Sequence, residues 1–125
     1  MNEAQAKRKL NVLLTKEDCN ALIFASAGSM YSGLGIPDWF LAHHIWQGWI
    51  EHKFNNGRIT PGQKTNILKL MHRGVKAVIL RHNYVEGNAP SIDLITVEYK
   101  LLSTFIYERG ITGMTFLNWL SDATT

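Results

Sequence analysis

Apolar residues near the start of the chain recur at Ala6, Leu10, Leu13 and Leu14, the spacing of one face of a helix, and predict an α-helix over residues 3 to 14. After a polar stretch, Ala21-Leu22-Ile23-Phe24-Ala25 reads as a first strand. Residues 26 to 35 are rich in Ser and Gly and read as a loop, which leads into the apolar run Trp39-Phe40-Leu41-Ala42. His43 to Gly48 then reads as a hairpin connection of uncertain length, and Trp49 to Lys53 as its return strand. A helix from Thr60 to Arg73 is well signalled. Thr60 is its N-cap, Pro61 takes the first helical position, Ile67, Leu68 and Met71 share a face, and Gly74 is the stop. Gly74 to Arg81 reads as the next strand. Beyond it, Tyr84 to Pro90 is a loop, Ile92 to Tyr99 has strand composition, and Leu101 to Tyr107 is ambiguous; Phe116, Leu117 and Leu120 suggest a short terminal helix.

This order predicts an α/β fold. Its core is a helix, a three-strand antiparallel meander, a crossover helix and a fourth strand joining in parallel, an αβββαβ arrangement with a mixed central sheet. At 125 residues the chain is expected to be one domain, with the core over about 1–82 and a C-terminal extension over about 83–125. The charge is mildly basic, 13 Lys and Arg against 10 Asp and Glu, which suits a polyanionic partner without requiring one. Cys19 is the only cysteine, which excludes an internal disulfide and a cysteine-based zinc cluster and suggests a reducing cytoplasm. No apolar run is long enough to span a bilayer, and the first residues lack the apolar core of a targeting segment, so no membrane partner is expected. A phosphate-cradling Gly-Lys-Ser/Thr loop is absent, and no His–carboxylate pair is spaced for a nucleophilic triad.

The candidate chemistry lies in Gly35-Ile36-Pro37-Asp38-Trp39 and Trp49-Ile50-Glu51-His52-Lys53. Strand residues two apart share a face, so Glu51 and Lys53 project together while His52 points to the other side. If the two runs pair as a hairpin with an even number of loop residues, Asp38 lies opposite Glu51. Two carboxylates beside an ammonium form an oxygen-rich corner suited to a hard divalent cation such as Mg²⁺, with Mn²⁺ as a substitute. The His52 backbone carbonyl could complete the shell. Such a cation polarises a phosphodiester, and Lys53 would stabilise developing charge.

In this order, and with Asn56-Gly57-Arg58-Ile59, Thr60-Pro61-Gly62-Gln63 and Gly74 to Arg81 following, the constellation resembles the PD-(D/E)xK nuclease superfamily. It is most similar to small stand-alone VRR-NUC and Holliday-junction-resolvase types of phages and microbes. The resemblance covers about residues 1 to 82 and implies a restriction-endonuclease-like core. It implies a Mg²⁺-dependent endodeoxyribonuclease with Asp38 and Glu51 as metal ligands and Lys53 as charge stabiliser. Gln63 then faces the lysine or the attacking water; a capping box with Thr60 explains the same residue structurally. Glu3, on the stripe of the first helix, is a further candidate ligand, or simply a favourable charge at a helix N-terminus.

Ser29, Ser32, Arg58 and Lys64 are candidate DNA contacts. The expected substrate is DNA, branched or junction DNA in particular, because a compact chain without a separate reading module recognises shape. Junction resolution needs two symmetric cuts and hence a two-fold homodimer, for which Phe105, Ile106, Phe116 and Trp119 are the candidate surface. Alternatives are a nicking or flap-type nuclease on the same site, or a nuclease-fold protein that binds DNA or a partner without cutting. Adjacent His43 and His44 fit a surface hairpin, and Trp46, near its tip, is the tryptophan expected to meet a partner.

Overall fold

In the computed structural model, which describes residues 1–17, 19–26, 35–98, 100–107 and 113–124, three helices pack on one six-stranded sheet. Helix α1 (Glu3–Thr15) starts at Asn2, whose side chain accepts from the Gln5 amide while the Gln5 side chain accepts from the Asn2 amide, a reciprocal cap. Its buried positions are Ala6, Leu10 and Leu14, with Leu13 half-buried beside them. Strand β1 (Leu22–Ala25) pairs antiparallel with β2 (Trp39–Ala42), and β2 with β3 (Gln47–Phe54). Helix α2 (Pro61–His72) crosses over to β4 (Ala77–Asn83), which runs parallel to β3. Strands β5 (Ser91–Ile95) and β6 (Leu101–Ile106) add antiparallel, and α3 (Gly113–Thr124) returns along the sheet. Strand order follows chain order throughout, so the expected helix, meander, crossover and parallel fourth strand are all present inside a larger mixed sheet.

Local chemistry explains the boundaries. Thr60 caps α2 through its hydroxyl, and Pro61 occupies a position whose N–H has no intrahelical partner in any case. At the other end the Val75 N–H reaches the Leu70 carbonyl and the Gly74 N–H reaches Met71, a Schellman closure that needs the left-handed φ of +78° at Gly74. β4 is buried on both faces from Ala77 through Leu80, as a central strand flanked by helices must be.

Alternation divides the apolar residues into two cores. Trp39, Leu41, Ile50, Val78, Leu80, Ile92 and Leu94 point to the face covered by α1 and α3, where Leu10, Leu14, Phe116, Leu117 and Leu120 complete the larger cluster. Ala77, Ile79 and Ile95 point to the opposite face and meet Ile59 and Ile67 beneath α2. Leu68 and Leu70 flank Ile67 there, whereas Met71, expected on that stripe, is 38% exposed.

Several expectations are corrected by the tertiary packing. The 43–46 connection is not a surface hairpin: the His43 N–H bonds the Trp46 carbonyl, and both side chains are buried while His44 stays exposed. Trp46 is therefore core and is not a partner contact. Phe105 and Phe116 pack edge to face, 5.0 Å apart, inside the larger core, which removes them from any surface and leaves Ile106 and Trp119 exposed. The strand read over Ile92 to Tyr99 is Ser91–Ile95, and the ambiguous 101–107 segment is the edge strand β6. Among the described residues no helix is long and apolar enough to cross a membrane.

Candidate active site

The hairpin register of β2 and β3 pairs Trp39 with Ile50 and Ala42 with Gln47, leaving four residues between the strands. Continued by one step, it sets Asp38 against Glu51. β2 has ended there, and the His52 amide, which faces β2 and not β4, has no backbone acceptor across from it. The Asp38 side chain takes that role: its Oδ2 accepts the His52 N–H at 2.8 Å. A carboxylate thus caps the open end of the β2–β3 ladder, and its own carbonyl is held by the Ser26 N–H at 2.9 Å. The C=O of a strand residue lies on the same side as its N–H, so the His52 carbonyl also faces Asp38.

Glu51 projects from β3 toward α2 and is 2% exposed. Its Oε1 accepts from Gln63 Nε2 at 2.7 Å and lies 3.8 Å from Lys53 Nζ. Its Oε2 is buried with no hydrogen-bond partner. Burial, with the Asp38 charge next to it, pushes the Glu51 carboxyl up to about 8. Burial also opposes ionisation of Asp38, yet the Lys7 ammonium, the Glu51 carboxyl and the His52 amide together hold it below its ordinary value. One ionised and one protonated carboxyl facing each other is the arrangement expected of like charges too close to ionise together.

Gln63 does two things at once. Its Oε1 accepts from the Thr60 amide at 3.0 Å, completing the cap of α2, and from Lys53 Nζ at 2.9 Å. Its amide nitrogen meanwhile donates to Glu51. The capping geometry fixes the side chain so that it bridges the catalytic candidates, and the two roles weighed from the sequence coincide. The loop before Asp38 is fitted onto the same helix end. Gly35 is buried at φ +69°, and a Cβ there would lie 2.4 Å from the Gly62 carbonyl carbon and 2.5 Å from the Gln63 nitrogen.

From the first helix it is Lys7 that arrives, with Nζ 2.8 Å from Asp38 Oδ1. Glu3 sits one turn earlier, exposed in the first turn of α1. Lys7 stands in a basic run with Arg8 and Lys9, and only the angle of α1 against the end of β2 separates it from them. His52 faces away from Glu51, as alternation requires, and packs against Trp39 at 5.8 Å and His82 at 6.1 Å. Burial, and then the neighbouring His82, drop its pKa to about 4, so its ring is neutral at pH 7. Arg58 and Lys64 are exposed near this site, Arg58 in a groove with Arg81 and Tyr84, Lys64 beside Gln63 on α2. Arg81 itself clamps the turn after β3 through the Asn55 and Gly57 carbonyls. Ser29 and Ser32 lie outside the described residues.

No cluster of three metal-ligating side chains occurs among the described residues. The donor set is two carboxylates and one backbone carbonyl. It nevertheless fits a hard divalent cation, because the Asp38 and Glu51 carboxyls face each other in a buried corner and share one proton, which such a cation would displace. No protein-family model, curated protein or solved structure matches the chain.

Proposed function

We propose that this protein is a Mg²⁺-dependent endonuclease that hydrolyses phosphodiester bonds in DNA, with branched or junction DNA as its substrate. The observation that carries the reading is the convergence of Asp38, Glu51 and Lys53, joined by Gln63, at one buried corner. The likeness of this set and its order to the PD-(D/E)xK nucleases supports it, as does the αβββαβ order of the first six elements.

Asp38, Glu51 and the His52 carbonyl would hold the cation, which supplies a Lewis acid for the phosphate and lowers the pKa of a water. The chain's own residues do the rest. Lys53 brings a fixed positive charge to the side of Glu51 where negative charge builds on the phosphorus oxygens. Gln63 sets the Lys53 ammonium by accepting from it and keeps Glu51 Oε1 in place, so that Oε2 is the oxygen left for a ligand. Lys7 neutralises part of the Asp38 charge and orients its carboxylate. Arg58 and Lys64 are placed as phosphate contacts outside the centre.

The test is incubation with Mg²⁺ and a panel of linear, nicked, flap and four-way DNA. Asp38→Asn, Glu51→Gln and Lys53→Ala should each cut at least ~10²-fold more slowly while folding normally. Wild-type turnover by folded Glu51→Gln, or undiminished cutting in EDTA, would overturn the assignment.

A further inference from the structure

A groove of about 1030 Å³ runs between α1 and the 84–90 segment, on the side of the molecule away from Glu51. Arg8, Lys9 and Lys16 line it together with Tyr84 and Tyr107, and no carboxylate lines it among the described residues. Tyr84 also lines the separate groove of about 520 Å³ that holds Arg58 and Arg81, again with no carboxylate among the described lining residues. One residue, Tyr84, therefore lines both of two cationic grooves on opposite faces of the sheet. The second reaches the site, since a Cβ placed on Gly57 at its rim would lie 3.7 Å from Lys53 Cδ. The first is turned away from it on α1: Lys7 is bonded to Asp38, while Arg8 and Lys9, which follow at about 100° each around the helix, face the groove.

We propose that this bent track binds a single-stranded nucleic-acid arm, with phosphates against Arg8, Lys9, Lys16 and Arg58 and a base against Tyr84. Charge complementarity selects a polyanion. Shape selects a single strand, because the track turns around the end of the sheet between its two faces, and a duplex with a persistence length of ~150 base pairs does not follow such a turn. A cationic path interrupted by an aromatic ring is the arrangement that holds unpaired strands by electrostatics and stacking. Two features fix the walls. Asn55 Oδ1 accepts the Tyr84 N–H at 2.8 Å, and the Tyr107 hydroxyl is bonded to His82 Nε2 at 2.6 Å. The choice of nucleic acid as occupant rests on the nuclease reading, and the arm would be the unpaired strand of a flap or opened junction lying beside the cut.

Fluorescence anisotropy with a labelled 20-nucleotide oligothymidylate, titrated in EDTA over a series of salt concentrations, tests this without requiring cleavage. Arg8→Gln/Lys9→Gln/Lys16→Gln removes three exposed charges, and circular dichroism checks its fold. It should bind at least about tenfold more weakly, and the slope of log K against log salt should fall by about 2. Tyr84→Ala should lose about tenfold while Tyr84→Phe keeps wild-type affinity, a split that a merely electrostatic wall would not give. An abasic 20-mer should bind like Tyr84→Ala. Unchanged affinity and salt slope in the triple variant would overturn the track, as would a blunt duplex binding better than the single strand. The two readings fail separately. Metal-dependent cutting with a silent triple variant removes only the track; oligothymidylate binding that depends on the track, in a protein that never cuts, removes only the nuclease.

Discussion

Glu51 has one carboxyl oxygen held by Gln63 and lies buried against the Asp38 carboxylate. Its folded-state pKa of about 8 lies above the ordinary 4.5, so the folded chain keeps a proton that the unfolded chain has released. The corresponding stability is complete below about pH 4.5 and is lost as pH rises to about 8. Glu51→Gln mimics the protonated state and should remove this dependence. In EDTA, the stability gap between variant and wild type measured by urea unfolding should widen by a few kcal/mol from acid to pH 8; a constant gap refutes the placement. Mg²⁺ should stabilise the wild type at pH 8 and leave Glu51→Gln unchanged. His52 and His82 act in the opposite sense, since pKa values near 4 make them cost stability as pH falls below 6.5, but they are common to both proteins and cancel in the comparison. At Lys7 the ammonium would compete with a bound cation for one carboxylate. The pair is partly exposed, so Lys7→Met should change stability by no more than about 1 kcal/mol. A magnesium titration of cleavage should show half-maximal activity at lower metal concentration; a higher requirement would show that orientation of Asp38 outweighs competition.

At the scale of elements, the site is the seam where β2 stops, β3 continues and α2 begins. Gly35 sets how closely the segment before Asp38 approaches the α2 N-terminus. Gly35→Ala adds a backbone clash to the strain of a positive φ and should cost about 2 kcal/mol or more, with a loss of cutting because Gln63 moves. Gly74 separates the two effects. It has φ +78° but open space at its Cβ position, so Gly74→Ala should cost about 1 kcal/mol and leave the site unmoved. Equal denaturation midpoints for the two variants would show that the 35–62 contact is looser than described. The caps of α2 belong to the same seam: Thr60 and Gln63 form a reciprocal pair, so trimming either loosens both the helix start and the Lys53 ammonium.

For the whole molecule, symmetric cutting of a four-way junction requires two copies of the single Asp38–Glu51–Lys53 site. With Phe105 and Phe116 in the core, the apolar surface left near the C-terminal elements is Leu101, Ile106 and Trp119, all about half exposed. Light scattering at micromolar concentration should show a dimer on a junction if that is the substrate. A monomer both free and bound would instead make the single-cut nuclease the better account, which is also the use that suits a single-strand track. Ca²⁺ should support DNA binding by the whole protein with little cutting, because its looser shell positions phosphate and water poorly. Full cutting with Ca²⁺ would contradict a site built for a small, six-coordinate ion.

The amino-acid order by itself determined the elements from α1 to β4, left β6 ambiguous, and determined the common face of Glu51 and Lys53. These depend on neighbours: a helix stripe, the Thr60 and Pro61 start, the Gly74 stop, and strict alternation along β3. It also carried the pairing of Asp38 with Glu51, given an even connection, since the register of a short hairpin follows from its loop length. Only the tertiary structure decided which side chains from distant elements meet there. Lys7, not Glu3, reaches Asp38 because α1 lies where the Ala6–Leu10–Leu14 stripe seats it on the sheet, and that angle has no local signature. Gln63 joins Thr60, Lys53 and Glu51 at a helix start against which Gly35 lets a second backbone touch. His43 and Trp46 are buried, against their polar or exposed reading, because a four-residue turn folds onto a core built by other segments. Local order is set by interactions a few residues apart, whereas a site is a meeting of groups whose separation along the chain is bridged only by packing.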